Sequence, residues 1–295
     1  MAESSFSSES VQPVLKEACR RAGFLSGSAE PVRLGENALF RLSDASVIVR
    51  ITRPGRLHKV EKELCVARWL ESTGVPAIRL VPDIEQPLVV DGFSVSFWRE
   101  VAGGGPEPTR IDLARLLRAY HSLGDAPCDL PAFDPFGTSM ERLHMASGVR
   151  SDDVRFLREL CVSLDEELRT LEFALPVGPI HGDAWPGNLL TDHGQVVLLD
   201  FEAAAVGPRE WDLLPTAIAT DRYGLHEQRY LEFAEAYGFD VREWPGYPVL
   251  REVREVTMAT WIMQNANEGP AFAAEFELRV ASLRDGDLTR VWNLF

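Results

Sequence analysis

The sequence predicts an α+β protein in which a segment of short antiparallel strands precedes a mainly helical segment. Three observations support this class. Residues 30–100 contain short runs of β-branched and aromatic residues separated by turn residues, with one helical pattern inserted among them. Three glycines and a proline at 103–106 then provide a candidate linker. From residue 110 onwards, most apolar residues recur at helical spacing.

The first segment is expected to form an antiparallel sheet with one helix after its third strand. A short helix over 11–23 precedes the sheet. Strands are expected over 32–34, 38–42, 46–51, 88–90 and 93–98. Asp91-Gly92 separates the last two strands and is typical of a β-hairpin turn. Apolar residues at helical spacing over 57–73, followed by Gly74, predict the inserted helix and its end.

The second segment is expected to be helical around one embedded β-hairpin. Helices are expected over 110–123, 152–173, 208–220, 225–237, 247–265 and 271–283. Two short strands, over 188–191 and 196–199, flank the turn residues at 192–194. The sequence therefore predicts two regions, residues 1–101 and residues 102–295, and the glycine-rich linker lies at the start of the second region.

The charge of the chain is unevenly distributed. The 295 residues carry 30 Lys and Arg against 45 Asp and Glu, a formal net charge of −15. Residues 1–101 contain 13 acidic and 13 basic residues, whereas residues 102–295 contain 32 acidic and 17 basic residues. So acidic a chain is atypical of nucleic-acid-binding proteins, and no nucleic-acid partner is expected. The acidic excess fits either a solubilising surface or a site that attracts a cationic ligand.

The sequence also indicates the environment in which the protein works. It contains no run of 18 apolar residues, so neither a transmembrane helix nor a membrane partner is expected. The first ten residues, MAESSFSSES, are polar and lack the apolar core of a signal peptide. The four cysteines, Cys19, Cys65, Cys128 and Cys161, are far apart and form no C-x-x-C pair. We therefore expect reduced, mostly buried thiols and a cytoplasmic location.

The strongest chemical signal is the run H-G-D at 181–183, with Asn188 five residues after the aspartate. An apolar strand over 196–199 then leads into Asp200. Phosphoryl transfer from a nucleotide requires a carboxylate that orients the acceptor hydroxyl and takes its proton. It also requires an amide oxygen and a second carboxylate that hold Mg²⁺. Any one of these residues alone would more often cap a turn, but the complete set predicts a phosphoryl-transfer site.

This pattern resembles the aminoglycoside phosphotransferase and choline kinase-like family, a small-molecule branch of the protein-kinase-like fold. The match consists of H-G-D-x-x-x-x-N, an apolar strand and D-F-E, and the resemblance extends over residues 30–290. It implies a bilobal fold, with an antiparallel β N-terminal lobe containing one helix and a mainly α-helical C-terminal lobe containing a β-hairpin. Residues 1–101 would then bind the nucleotide, and residues 102–295 would carry catalysis and acceptor binding.

Within the motif, the resemblance implies a role for each polar residue. Asp183 becomes the catalytic base, and Asn188 and Asp200 become Mg²⁺ ligands. His181 would organise the loop rather than act as an acid or base. Asp212, which follows in the next predicted helix, would hold the loop by hydrogen bonding.

The resemblance also assigns nucleotide-binding residues. Gly35 and Asn37 lie between the first two strands, where the family folds a loop over the phosphates. Arg50 is a charge within an apolar strand, at the position where kinases place a phosphate-binding lysine. Its planar guanidinium is also able to bind phosphate. The expected partner of Arg50 is Glu63 on the inserted helix, with Glu61 as the alternative.

The end of the last strand in the first segment corresponds to the family's inter-lobe hinge. There the backbone carbonyl of Arg99 and the backbone amide of Val101 would hydrogen-bond the purine. Because backbone atoms make these contacts, the side chains do not distinguish ATP from GTP.

The implied function is a Mg²⁺-dependent kinase that transfers the γ-phosphate of ATP or GTP to a hydroxyl of a small molecule. An antibiotic acceptor of the aminoglycoside or nucleoside type, inactivated by O-phosphorylation, and a primary metabolite such as an amino alcohol or a sugar both remain open. Glu202, Asp221 and Glu268 are candidate contacts for a cationic acceptor, although each also fits a surface carboxylate. The pattern does not predict an oligomeric state.

Two other functions are disfavoured. A nucleotide-binding pseudokinase would lack part of the catalytic set, and here the set is complete. A protein kinase would carry a Gly-rich loop and a D-F-G to A-P-E activation segment, and the sequence has neither.

Overall fold

The computed structural model describes residues 8–295, and residues 1–7 of the polar N-terminal stretch lie outside it. The described residues group into two compact units. The first comprises the chain up to Thr109 together with Leu123–Leu130 and Pro186–Ala204, and the second comprises Arg110–Ser122, Pro131–Trp185 and Ala205–Phe295. The predicted α+β class is confirmed. None of the described helices is long and apolar enough to cross a lipid bilayer.

Every predicted strand and helix is present, with shifts at its ends. The strands are β1 (Ala29–Leu34), β2 (Asn37–Leu42), β3 (Val47–Thr52), β4 (Leu88–Val90), β5 (Phe93–Arg99), β6 (Gly178–Ile180), β7 (Leu189–Asp192), β8 (Gln195–Leu198) and β9 (Ala205–Gly207). The helices are α1 (Ser8–Ala22), α2 (Leu57–Thr73), α3 (Arg110–His121), α4 (Gly137–His144), α5 (Ser151–Arg169), α6 (Glu210–Arg222), α7 (Glu227–Tyr237), α8 (Tyr247–Gln264) and α9 (Pro270–Asp285). Helix α4 and strands β6 and β9 are additional to the predicted elements.

The first unit is built on a five-stranded antiparallel sheet in the order β1-β2-β3-β5-β4. Phe40, Val49 and Phe97 are paired neighbours on β2, β3 and β5, and they are fully buried in a core that α1 shares. Successive side chains point to opposite faces of a strand. Arg50 therefore lies on the face of the sheet opposite this apolar core.

The β7–β8 hairpin belongs to the first unit, although it lies in the C-terminal two thirds of the sequence. The Leu198 N–H donates to the Pro76 carbonyl at 3.1 Å, and the Leu198 carbonyl accepts from the Ile78 N–H at 2.9 Å. Asp192 Oδ1 accepts from the Ala102 N–H at 3.1 Å, which attaches the glycine-rich segment to the same hairpin. These contacts join residues that are far apart in sequence, so no local pattern indicates them.

The expectation of reduced thiols is wrong for two of the four cysteines. Cys65, on α2, forms a disulfide with Cys128, in the segment after α3, and their Cα atoms are 5.9 Å apart. The two residues are 63 positions apart in sequence, so no local pattern indicates that they are close in space. Cys19 and Cys161 are free and buried as expected, and burial raises the pKa of each thiol to about 11.

Helices α3 to α9 form most of the second unit, together with the short antiparallel pair β6–β9. Helix α8 packs against α4, α5, α6 and α9. Two buried ion pairs lie in this unit, Arg222–Glu255 and Arg279–Glu275, each at 2.7 Å. Trp292 is buried against both guanidinium groups, whose central carbons lie 4.7 and 4.9 Å from its ring centre. The C-terminal segment is therefore part of the core.

Sequence patterns do not indicate α4, β6 or β9. These elements are only eight, three and three residues long, so they are too short to show a period. Strand β6 also contains Gly178 and Pro179, which are depleted in strands. It exists because it pairs with β9, a partner that lies beyond the intervening hairpin in sequence.

Candidate active site

The H-G-D loop of the second unit is held by one buried carboxylate. Asp212, near the start of α6, accepts hydrogen bonds from the His181 N–H at 2.6 Å and the Gly182 N–H at 2.8 Å. Gly182 has φ of +84°, a left-handed conformation that favours glycine. His181 is buried, and its Nδ1 accepts from the Asp183 N–H at 3.3 Å. The hydrogen bonds expected of Asp212, and an organising contact from His181, are therefore present.

Asp212 also contacts a buried histidine of α3. His121 Nε2 lies 3.0 Å from Asp212 Oδ2, and His121 Nδ1 lies 2.8 Å from the Tyr237 hydroxyl. Burial acts to raise the pKa of Asp212, but the hydrogen bonds from His121 and the His181 amide outweigh it and hold that pKa below its usual range. The carboxylate is therefore ionised at neutral pH, and it accepts both amide hydrogen bonds of the loop.

The carboxylate of Asp183 is bound by an arginine that no sequence pattern indicates. Arg254, on α8, donates from Nη2 to Asp183 Oδ1 at 2.7 Å and from Nη1 to the Gly182 carbonyl at 3.3 Å. Its guanidinium lies 5.0 Å from the centre of the Trp211 ring, and Trp211 Nε1 donates to the same carbonyl at 2.9 Å. Arg254 follows Asp183 by 71 residues, and no local motif marks a partner at such a distance.

The β7–β8 hairpin of the first unit brings the two predicted metal ligands to its open end. Leu189 pairs with Leu198, and the Leu199 N–H donates to the Asn188 carbonyl at 3.0 Å. Asp200 follows directly, is exposed, and has φ of +61°. Few non-glycine residues adopt this conformation, which is concentrated at functional sites. The side-chain amide of Asn188 and the carboxylate of Asp200 therefore start from neighbouring backbone positions.

Arg50, on β3, is the centre of a polar cluster in the first unit. Its Nη1 donates to Glu63 Oε1 on α2 at 2.6 Å, so the expected partner is present, whereas Glu61 is exposed. Its Nη2 donates to Glu202 Oε2 at 3.1 Å. In the amide orientation that satisfies its hydrogen bonds, Asn37 Oδ1 accepts from Arg50 Nη2 at 2.7 Å and from Nε at 3.1 Å. Four of the predicted residues therefore meet here.

The charges of this cluster shift one another's pKa values. Burial acts to lower the pKa of Arg50, but the carboxylates of Glu63, Asp200 and Glu202 outweigh it and raise that pKa. Burial raises the pKa of Glu63 to about 7, although the Arg50 charge acts in the opposite direction. Arg50 is therefore a permanent cation, whereas Glu63 changes charge near neutral pH.

Glu202 lies among the cations of α2 and the residues before it. Its Oε1 is 3.5 Å from Lys59 Nζ and 3.9 Å from Arg56 Nη1. Lys62 Nζ donates to the carbonyls of Glu202 at 2.6 Å and Ala204 at 2.8 Å, and burial lowers the pKa of Lys62. The segment after the D-F pair is thus attached to α2 through both side-chain and backbone atoms.

Gly35, Arg99 and Val101 lie at the ends of strands in the first unit. The Gly35 N–H donates to the Asn37 carbonyl at 3.1 Å across the two-residue turn between β1 and β2. Arg99 is the last residue of β5, and its N–H donates to the Arg79 carbonyl at 2.8 Å. Val101 follows shortly before the glycine-rich segment. Their contacts with a nucleotide stay predictions.

The two acceptor candidates of the second unit differ in their surroundings. Asp221 Oδ2 accepts from the Tyr247 hydroxyl at 2.5 Å, and nitrogen atoms of Arg242 and Arg251 lie 3.8 and 3.7 Å from its oxygens. Glu268 is exposed in the turn after α8. Asp221 is therefore compensated by cations of its own unit, whereas Glu268 faces solvent.

Solved structures of small-molecule kinases share this fold over most of the chain. An amicoumacin kinase superposes with a TM-score of 0.72 at 15% identity, covering 96% of this chain and 95% of its own. A choline kinase from Streptococcus pneumoniae gives 0.68 at 15% identity, covering 94% and 99%. An aminoglycoside phosphotransferase from Streptomyces rimosus gives 0.64 at 17% identity, covering 83% and 98%. The fold is therefore that of the protein-kinase-like small-molecule kinases.

The family itself is identified from the sequence. The family model described as the phosphotransferase enzyme family matches residues 29–253, and the chain belongs to this family. No curated protein sequence matches this chain. The protein is thus a phosphotransferase with an alcohol group as acceptor, and its substrates are small molecules.

Proposed function

We propose that the protein transfers the γ-phosphoryl group of ATP to a hydroxyl of a small molecule, with Asp183 as the catalytic base. One observation carries this proposal. The loop hydrogen bonds to Asp212 and the contact with Arg254 hold Asp183, while 44% of its side chain stays exposed. A carboxylate that is both fixed and accessible is suited to orient an acceptor hydroxyl and to take its proton.

The transfer is direct in this mechanism. Asp183 accepts the proton of the acceptor hydroxyl while the hydroxyl oxygen forms a bond to the γ-phosphorus and the bond to the bridging oxygen of ADP breaks. Arg50 binds the α- and β-phosphates, and its contact with Glu63 supports the orientation of the guanidinium. No covalent intermediate with the protein is required, because positioning and charge stabilisation supply most of the catalysis in phosphoryl transfer.

Asn188 and Asp200 are the residues that would hold a divalent metal ion. They supply the hard oxygen ligands that Mg²⁺ prefers, they stand at one end of the β7–β8 hairpin, and Asp200 is exposed. The described residues contain no group of three His, Cys, Asp or Glu side chains suited to a metal ion. Phosphate and water oxygens would therefore complete the coordination. Bound Mg²⁺ would neutralise charge on the phosphates.

ATP is the proposed donor, and GTP is the alternative. Two of the similar structures are complexes with AMP-PNP and with ADP, which supports an adenine nucleotide. Because the backbone at Arg99 and Val101 would contact the purine, a direct comparison of the two nucleotides is needed. We also propose a cytoplasmic location; it rests on the need for this co-substrate alone, because the Cys65–Cys128 disulfide removes the argument from reduced thiols.

The proposed acceptor is an antibiotic, and an amino alcohol metabolite is the second candidate. The similar structures include an amicoumacin kinase and a phosphotransferase in complex with streptomycin, which support the first. They also include a choline kinase and an aminopropanol kinase, with TM-scores of 0.68 and 0.69, which support the second. Since Glu202 and Asp221 pair with cations of the chain itself, Glu268 is the remaining acidic candidate for a cationic acceptor.

A substrate screen tests the proposal. The protein is incubated with Mg²⁺, with ATP or GTP, and with streptomycin, amicoumacin, a nucleoside antibiotic, choline and aminopropanol in turn. Mass spectrometry then identifies any product heavier by one HPO₃ unit. The matched control is Asp183→Asn, which keeps the size of the side chain and removes its basicity.

A product from the wild type alone supports both the reaction and the base. Equal turnover by the Asp183→Asn variant would contradict the role of Asp183. Absence of product with every acceptor, from a folded protein that binds Mg²⁺-ATP, would contradict the proposed acceptor classes.

A further inference from the structure

Arg254 holds the H-G-D loop at two points. One guanidinium nitrogen donates to the Asp183 carboxylate at 2.7 Å, and the other terminal nitrogen donates to the carbonyl of Gly182 at 3.3 Å. The first contact acts on the side chain, and the second acts on the backbone immediately before it. A planar fork that bonds both groups restricts the rotation of the carboxylate relative to the loop.

The guanidinium is itself held in place. Its centre lies 5.0 Å from the Trp211 ring, and Trp211 donates to the Gly182 carbonyl at 2.9 Å, so arginine and tryptophan converge on one acceptor. The Arg254 side chain is 16% exposed, against 44% for Asp183. The arginine is therefore the packed partner, and the carboxylate is the partner that stays accessible to a substrate.

Helix α8 holds the backbone of Arg254 in a fixed position. Val253 and Val256, on either side of it in sequence, are fully buried. Glu255 is buried as well and binds Arg222 through both of its oxygens, at 2.7 and 2.8 Å. Because the neighbouring positions of α8 are fixed by packing and by this ion pair, the direction from which Arg254 reaches the loop is fixed too.

We propose that Arg254 is a positioning residue for phosphoryl transfer: it fixes the carboxylate of Asp183 in the orientation that meets the acceptor hydroxyl. This inference rests on the proposed role of Asp183 as the base. It adds a residue from a helix that lies outside the H-G-D-x-x-x-x-N motif, and it explains how a base on a loop keeps a defined direction.

The inference predicts an effect on the rate constant rather than on nucleotide binding. Without Arg254, the carboxylate rotates and loses its near-attack orientation, and a misplacement of this kind lowers turnover by about 100-fold. A lysine makes one contact in place of two, so we expect Arg254→Lys to retain more activity than Arg254→Ala, with a loss of about tenfold. The KM for ATP should stay unchanged in both variants.

Arg251, one turn earlier on α8, offers a matched control. Its side chain is 14% exposed, it lies 3.7 Å from Asp221 and 3.6 Å from Glu255, and its guanidinium lies 5.7 Å from the Tyr247 ring centre. It therefore has nearly the same burial as Arg254 and also lies near carboxylates and an aromatic ring, but these carboxylates are not Asp183. Arg251→Ala measures what the loss of a half-buried arginine of α8 costs in general.

The experiment uses water as the acceptor, so it does not depend on knowing the natural one. Release of labelled phosphate from γ-labelled ATP with Mg²⁺ is measured for the wild type and for Arg254→Ala, Arg254→Lys, Arg251→Ala and Asp183→Asn. Thermal unfolding of each variant verifies that it is folded. Guanidinium chloride, below the concentration at which it unfolds the protein, is added to Arg254→Ala to replace the lost group.

The inference is supported if kcat falls in Arg254→Ala at constant KM and falls less in Arg254→Lys. It is also supported if guanidinium partly restores kcat in Arg254→Ala and if Arg251→Ala keeps a near-normal kcat. Equal kcat in Arg254→Ala and the wild type, combined with a reduced kcat in Asp183→Asn, would overturn this inference alone. A loss expressed only in KM, or an equal loss in Arg251→Ala, would also overturn it. Unchanged kcat in Asp183→Asn would instead overturn the proposed base itself.

Discussion

At the residue scale, one buried carboxylate, Asp212, holds the backbone of the H-G-D loop. It accepts from the amides of His181 and Gly182, and its second contact with His121 ties the loop to α3. An asparagine at this position would offer one oxygen in place of two. Its amino group would then face a backbone N–H, and one buried donor would lose its acceptor.

We expect Asp212→Asn to lower the free energy of unfolding by about 2–3 kcal/mol, since the lost hydrogen bond is buried and made to a charged group. Turnover should fall too, because the loop that carries Asp183 is loosened. Urea unfolding measures the first effect. Asp165→Asn, which removes a carboxylate from an exposed pair with Arg169 on α5, is the control and should change stability by less than about 0.5 kcal/mol. Equal effects in the two variants would contradict the role given to Asp212.

The titration of Glu63 should make the stability of the protein depend on pH. Burial raises its pKa from 4.5 to about 7 in the folded protein, so between these values the folded protein retains a proton that the unfolded chain has released. The free energy of unfolding therefore falls as the pH rises through this range. Glu63→Gln removes the titration. Urea unfolding at the two ends of the range should show the wild type losing stability relative to the variant, and a constant difference would refute the assignment.

At the scale of elements, one turn of α2 binds three other parts of the first unit. Glu63 binds Arg50 of β3, Lys62 donates to two carbonyls after the D-F pair, and Cys65 is bonded to Cys128. The sheet, the β7–β8 segment and the loop after α3 thus all meet the same turn. The orientation of Glu63 toward Arg50 depends on this turn staying in place.

The disulfide is expected to contribute substantially to stability. Closing a loop with a sequence separation of 63 residues corresponds to about 4 kcal/mol in the chain-entropy account. The double variant Cys65→Ser/Cys128→Ser should therefore unfold at a lower urea concentration than the oxidised wild type. Dithiothreitol should lower the wild type toward the variant and leave the variant unchanged. If dithiothreitol left the unfolding of the wild type in urea unchanged, the bond would be shown not to form in solution.

Local patterns predicted some elements well and were silent about others. Helix α2 ends where the sequence indicates, because Gly74 adopts the left-handed conformation that terminates a helix, with φ of +79°. The H-G-D-x-x-x-x-N motif was also recognisable, since its residues lie within one short stretch. The bonds of Asp183 to Arg254 and of Cys65 to Cys128 join residues 71 and 63 positions apart, and periodicity and turn signals carry no information over such separations.

At the scale of the whole molecule, the count of 45 Asp and Glu residues overstates the number of carboxylates available to a ligand. Several of these carboxylates are paired with arginines inside their own units, and such pairs leave the net charge of −15 unchanged. Glu255 and Glu275 are buried with arginines, and Asp153 binds Arg284 at 2.9 Å. The acidic composition of residues 102–295 is thus in part a requirement of the buried arginines.

Nucleotide binding should stabilise the whole chain in a metal-dependent way. At a Mg²⁺-ATP concentration of about 100 times Kd, the free energy of unfolding should rise by about 2.7 kcal/mol. Asp200→Ala should lose most of this gain at the same concentrations, because it removes a proposed metal ligand. Thermal unfolding with and without Mg²⁺-ATP checks this, with Asp165→Asn as a variant that should respond like the wild type. An equal shift for Asp200→Ala would contradict the metal assignment.

The position of Trp292 bears on how the chain is made. Its backbone N–H donates to the Arg222 carbonyl at 2.7 Å and its ring lies against two buried arginines. A ribosome synthesises Trp292 after α6, α8 and α9, so the two arginines lack this cover until residue 292 has been made. A chain cut before Trp292 would leave those arginines without its ring and without acceptors such as the Asn293 carbonyl. The truncated chain would then be a substrate for cellular proteases rather than a weaker enzyme.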